Sequence, residues 1–291
     1  MGLFNKNKEP KEQKELEPQY FMSATNEPVY NYNVYYMTKL EKTLYFAAAF
    51  VVGGIVGLLF YGGLGKDEYG TATPLTYILN TIIFVVVGFI AGKVYLPMRT
   101  KQIIEKKKQK LNNQFRDLLD SLTTAIGAGK NVPDSFVSVK EDLSNQYNED
   151  AAIINEVNVI LSGLQNNINI EDLLFDFAKR SANKDIESFA NVFKISYRKG
   201  GNLKEIIRNT HEILSDKLEI NEEVTTTISA SKLNLTIMTF APIFMIAAIK
   251  MMSPDFASNF ATPTGVMATT IAVGIFVLSY IIGKKMMVIK L

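Results

Sequence analysis

The chain has 291 residues, with 31 basic against 29 acidic side chains, 47% hydrophobic residues and no cysteine. The lack of cysteine excludes a disulfide-stapled secreted fold and any thiolate metal site, and the apolar content excludes disorder along the whole chain. Charged residues, 21% of the total, are sharply segregated from the apolar ones.

The first 42 residues open with Lys6, Lys8, Lys11 and Lys14 and hold no apolar run, so no secretory signal is expected. Lys6 stands where an acylation signal needs Ser or Thr, so no lipid anchor is expected either. This tail, rich in Lys, Glu, Gln and Pro, is predicted to be largely disordered. Its end, Tyr30 to Met37, fits either a short strand or an aromatic anchor before the first apolar run.

Four charge-free stretches follow, Thr43 to Leu64, Pro74 to Ala91, Leu233 to Ile249 and Val266 to Ile282. Each has about 17 to 22 residues, enough to cross a hydrocarbon core of about 30 Å as a helix. The link after the first carries only Lys66 among basic residues and the link before the fourth carries none, whereas Lys93, Arg99, Lys101, Lys106, Lys107, Lys108 and Lys110 follow the second and Lys284, Lys285 and Lys290 the last. Basic flanks stay in the cytoplasm, which predicts a multi-pass protein with both termini inside. The basic run directly after a span is read as attraction to anionic lipid headgroups, not nucleic acid.

The expected layout is all-α: a cytoplasmic tail (1–42), a transmembrane hairpin (43–92), a cytoplasmic helical bundle (93–232), a second hairpin (233–283) and a short tail (284–291). Gly53 with Gly57, and Gly88 with Gly92, offer small-residue faces for close helix approach. Pro242 is predicted to kink the third span and Lys250, near its outer end, to snorkel. The spans contain no carboxylate, which weighs against an ion pathway through Lys250 or Asn80.

In the region between the hairpins, apolar residues recur at helical spacing, first at Phe115, Leu118, Leu119, Leu122 and Ile126, then around Ile153, Phe189 and Leu214. A motif occurs three times at the breaks: Gly129 to Phe136, Asn167 to Leu174 and Gly200 to Ile207. Gly129, Asn167 and Gly200 suit the left-handed backbone that ends a helix. Asn131, Asn169 and Asn202 are placed to cap the next helix, and Asp134, Asp172 and Glu205 to complete a capping box. Gly201 belongs to the third copy. The helix that follows it mixes Glu205, Glu212 and Asp216 with Lys204 and Arg208, which argues against DNA reading.

Catalytic signatures are missing. His211 is the single histidine and has no partner four residues on, no phosphate-binding glycine loop is present, and no nucleophile has a base. The chain is therefore read as a non-enzyme without cofactor or metal.

The stretches Gln114 to Phe136, Ile170 to Arg180 and Gly200 to Ile207 resemble the type II secretion F domain, the cytoplasmic helical domain of platform proteins in type IV filament machines. The closing region, from Ser253 to Leu291, and the single copy of the domain are similar to the B-type platform subunit of tight-adherence pilus systems. Asn167 departs from the glycine usual in that family, the segment Lys140 to Asn155 matches poorly, and residues 1–42 have no counterpart. The resemblance implies an assembly platform in the plasma (inner) membrane of a prokaryote, with a hexameric secretion ATPase, pilin, and a C-type subunit or a second copy as partners. Lys179, Arg180, Arg198 and Lys199 are candidates for docking the ATPase. The rival reading is a transporter or channel component, which needs a polar pathway between the spans.

Overall fold

A computed structural model describes residues 17–23, 25–66, 71–199 and 202–286. They form a short hairpin, β1 (Tyr20–Met22) and β2 (Pro28–Tyr30), followed by nine helices: α1 (Lys39–Tyr61), α2 (Pro74–Gly127), α3 (Val132–Gln146), α4 (Ala152–Gln165), α5 (Ile170–Ser181), α6 (Lys184–Lys199), α7 (Leu203–Met252), α8 (Pro254–Asn259) and α9 (Pro263–Met286). The all-α expectation holds outside the hairpin. Two compact units divide the chain, one of Met1–Tyr36 with Ser121–Leu203, the other of Met37–Asp120 with Lys204–Leu291.

In the unit containing the apolar runs, α1, α2, α9 and the Leu233–Met252 part of α7 are each long and apolar enough to cross a membrane. The helix α1 begins four residues before the charge-free run, because Thr38 and Glu41 close a reciprocal capping box: the Glu41 amide donates to the Thr38 hydroxyl at 3.2 Å and the Thr38 amide to the Glu41 carboxylate at 3.0 Å. The paired glycines mark where α1 and α2 approach. A Cβ on Gly57 would sit 2.9 Å from Val87, one on Gly88 2.6 Å from the Phe50 carbonyl oxygen, and one on Gly92 within 2.5 Å of the Phe46 ring. At Gly53 the obstacle is Ala91. Only hydrogen fits at these positions, as the small-residue spacing anticipates.

Both α2, with 54 residues, and α7, with 50, run on without a break beyond their apolar parts. The basic stretch from Lys93 to Lys110 is thus helical throughout, and α2 accommodates Pro97 as α7 accommodates Pro242. In their polar parts, Leu111, Phe115, Leu118 and Leu119 of α2 and Ile207, Leu214 and Leu218 of α7 are buried. The Lys250 ammonium donates to the Leu59 carbonyl at 2.6 Å and lies 4.4 Å from the centre of the Phe260 ring. The carbonyls at the end of α1 lack helical N–H donors, so the cation satisfies one of them.

In the other unit, α3 packs on α4, α4 on α5 and α5 on α6. Its core is Leu122, Phe136, Val139, Ile153, Val157, Phe177, Phe189 and Phe193, all essentially inaccessible. Burying each such side chain contributes about 1.5–3 kcal/mol. Gly163 of α4 lets α5 come close: a Cβ there would meet the Leu173 side chain.

The hairpin corrects the disorder expected for the tail, at least from residue 17 onward; residues 1–16 lie outside the described residues. Strands β1 and β2 pair antiparallel, Tyr20 opposite Tyr30 and Phe21 opposite Val29. Asn26 takes the left-handed backbone in the turn, with φ of 59°, and the Ser23 hydroxyl accepts the Glu27 amide at 3.2 Å. Neither reading of Tyr30 to Met37 holds as a whole. Tyr30 ends β2, and Tyr32, two residues on, is a buried core residue.

Candidate functional site

Two of the three turn motifs can be followed in full. At the first, Gly129 has φ of 85° and the Asn131 side chain accepts the Asp134 amide at 2.8 Å, so the left-handed stop and the asparagine cap both form. Asp134 lies in the first turn of α3. At the second, Asn167 has φ of 58°, the conformation expected of its glycine-like position. Asn169 occupies the cap position of α5 but accepts no amide there. Its side-chain nitrogen points to the Asp172 carboxylate at 3.4 Å, so the asparagine cap expected at this turn is replaced by an amide–carboxylate contact. At the third, Gly200 and Gly201 lie outside the described residues; Asn202 directly precedes α7 and Glu205 lies in its first turn.

A fourth turn of the same physical type was hidden from the spacing. Between α5 and α6, Ala182 adopts the left-handed backbone, with φ of 47°, and the Asn183 side chain accepts the Asp185 amide at 2.8 Å. Alanine carries no signal for that conformation, so only the asparagine could have marked the break.

Of the four cations proposed for docking, Arg180 does not belong to a surface. It is 1% exposed and ranks among the largest fully buried side chains. Its two terminal nitrogens donate to the two oxygens of Glu156, at 2.7 and 2.6 Å, and its Nε donates to Asp176 at 2.8 Å. The fork of the guanidinium matches the carboxylate, which offsets much of the cost of removing both charges from water. Burial opposes the charge on Arg180, but hydrogen bonding to and attraction by Glu156 and Asp176 outweigh it and hold the guanidinium pKa above its usual value. The alternation of Lys179 and Arg180 on α5 explains the error: helix geometry turns the first out to solvent and the second into the core.

The same ion pair anchors the hairpin segment. The Tyr32 hydroxyl donates to Glu156 at 2.8 Å, the Tyr32 amide donates to the Arg180 carbonyl at 3.0 Å, and Arg180 donates to the Tyr30 carbonyl at 3.3 Å. Burial, followed by the negative charge of Glu156, pushes the Tyr32 hydroxyl well above the tyrosine range. Residues far apart in sequence thereby share one buried network, and no local spacing pointed to it. Its donors and acceptors are saturated by one another, so it serves as a clasp and offers no reactive group.

Arg198 remains 59% exposed along its side chain while its Nε donates to the nearly buried Glu171 at 3.0 Å. Lys179 and Lys199 are exposed. Among the described residues, no three His, Cys, Asp or Glu side chains are grouped so as to hold a metal ion. His211 lies 3.9 Å from Asp120 and 3.4 Å from the Ser215 hydroxyl. Neither family models nor comparisons with characterised proteins and solved structures gave a match.

Proposed function

We propose that the chain is a non-enzymatic assembly platform of a type IV filament machine, of the tight-adherence pilus kind, in the plasma membrane of a prokaryote. In this reading its helical region faces the cytoplasm with both termini, recruits a hexameric secretion ATPase, and passes the motion of that ATPase to pilin leaving the bilayer. A C-type platform subunit or a second copy completes the membrane assembly.

The observation that carries the reading is the continuity of α2 and α7. Each joins an apolar stretch to a polar one through a single uninterrupted helix, 54 and 50 residues long. A device that transmits force needs such stiff members, because a flexible linker would absorb the displacement. The motif resemblance supplies the kind of machine, and the excess of Lys and Arg after the second and fourth spans supports the cytoplasmic placement. Docking falls to Lys179, Arg198 and Lys199, which are the accessible members of the basic set.

Co-purification tests it. The detergent-solubilised full chain should retain the cell's secretion ATPase, and a form lacking about residues 112–220, the segment proposed to carry docking, should lose it. Charge reversal at Lys179 and Lys199 should weaken retention while leaving membrane levels normal. Loss from neither form, or retention by neither under conditions that preserve other membrane complexes, would move the reading towards a transporter component.

A further inference from the structure

The ends of three apolar helices border an open cleft of mixed apolar and polar lining that the platform reading does not use. It has a volume of about 490 Å³ and is lined by Ile55, Leu58, Leu59, Lys66, Thr76, Asn80, Lys250 and Ala257, among others. Lys250 is two residues from the end of α7, Lys66 lies shortly after the end of α1, and Asn80 stands in the second turn of α2. The cleft therefore sits where the chain passes from apolar to polar, the depth of lipid headgroups.

Among its described lining residues the charged groups are both cations. The Lys250 ammonium has three protons and gives one to the Leu59 carbonyl. Lys66 lines the same cleft. The Asn80 side-chain oxygen accepts the Gly63 amide at 3.0 Å, which directs its amide nitrogen elsewhere. No carboxylate is found among the described lining residues. A half-buried cation, an exposed one and a neutral donor around one cleft suit an anion. The remaining walls, Ile55, Leu58 and Ala257, are apolar and open onto the helix faces that carry the exposed Ile55 and Tyr77.

We propose that this cleft binds the phosphate of an anionic membrane lipid, with Lys250 and Lys66 as its charge partners and Asn80 as a neutral donor. The apolar walls take the glycerol and the upper acyl chain. A free phosphate would satisfy the cations but leave those walls empty, which favours the lipid as the source. The proposal requires only that the four apolar helices span a membrane and is independent of the platform reading.

Native mass spectrometry of the full chain in mild detergent tests it, with phosphatidylglycerol, phosphatidylcholine and glycerol 3-phosphate as probes. The wild type should retain phosphatidylglycerol over phosphatidylcholine, and glycerol 3-phosphate should not displace it. Lys66→Met and Lys250→Met should each lower retention about tenfold, as expected for one charge-assisted contact, whereas Lys250→Arg should keep it. Lys66 is exposed and outside the helices, so its substitution leaves the fold intact and its result decides the matter even if Lys250→Met is unstable. Equal retention of the two lipids, displacement by glycerol 3-phosphate, or unchanged retention in Lys66→Met would each overturn the proposal.

Discussion

At Arg180 and Glu156 two charges are held at 2% and 3% side-chain exposure, and the energetics of such a pair are asymmetric. Removing one partner strands the other without water. Arg180→Met is therefore expected to cost about 3–5 kcal/mol of stability, and adding Glu156→Leu should recover only part of it, because the stranded carboxylate is gone but the Tyr32 hydroxyl loses its acceptor and Asp176 its donor. Chemical denaturation of the solubilised chain, followed by near-ultraviolet circular dichroism, measures both. Tyr32→Phe should cost less, about 1–3 kcal/mol, since it removes one hydrogen bond to a charged oxygen that Arg180 continues to hold. Tyr32 also gives the clasp a pH limit. Its hydroxyl is raised in the folded chain by burial and by Glu156, whereas an unfolded tyrosine ionises near pH 10, at about its ordinary pKa. Above about that pH the unfolded chain binds fewer protons than the folded one, so stability falls as pH rises and is fully present only below it. The wild type should lose stability between about pH 10 and 11 more steeply than Tyr32→Phe, and parallel profiles would remove Tyr32 as the cause. None of this network was legible in the sequence. The neighbours of Arg180, Lys179 and Ser181, carry no sign of which face of α5 turns inward.

Among the elements, breaks and caps were legible where they rest on local chemistry. Gly129 and Asn167 do take the left-handed backbone, and Asn131 does cap α3, because both effects act within a few residues. The break at Ala182 is not legible, since alanine carries no local signal for the left-handed backbone. Ala182→Gly should therefore stabilise the chain by about 1 kcal/mol, the steric cost of the left-handed region for an L side chain. Helix contacts were legible only where small residues repeat: Gly53, Gly57, Gly88 and Gly92 foretold the approach of α1 and α2, but the single Gly163 said nothing of α5. Gly163→Ala should cost about 1–3 kcal/mol by overpacking against Leu173. Thermal unfolding monitored by circular dichroism separates the signs of these two substitutions.

Over the whole molecule, charge segregation was the strongest signal, because crossing a bilayer constrains every residue of a span at once. Each of the four expected spans coincides with a helix of sufficient length and apolarity, the first apart from Gly62 to Leu64, which follow α1. The length of α2 was not foreseen; the basic run after its apolar part was read as a flank when it is part of one continuous helix. That continuity gives the platform reading its mechanical content. If α7 acts as a stiff member, interrupting it between Leu218 and Lys232 should uncouple the ATPase recruitment proposed for the chain from the filament assembly proposed for it. The decisive measurement replaces Glu222 to Thr225 with a flexible Gly-Ser segment of equal length and follows ATPase co-purification and surface filaments in the same cells, at matched membrane levels. Retained ATPase with loss of filaments is the predicted result. Retained ATPase with full filament assembly would contradict rigid coupling through α7 and, with it, the central claim.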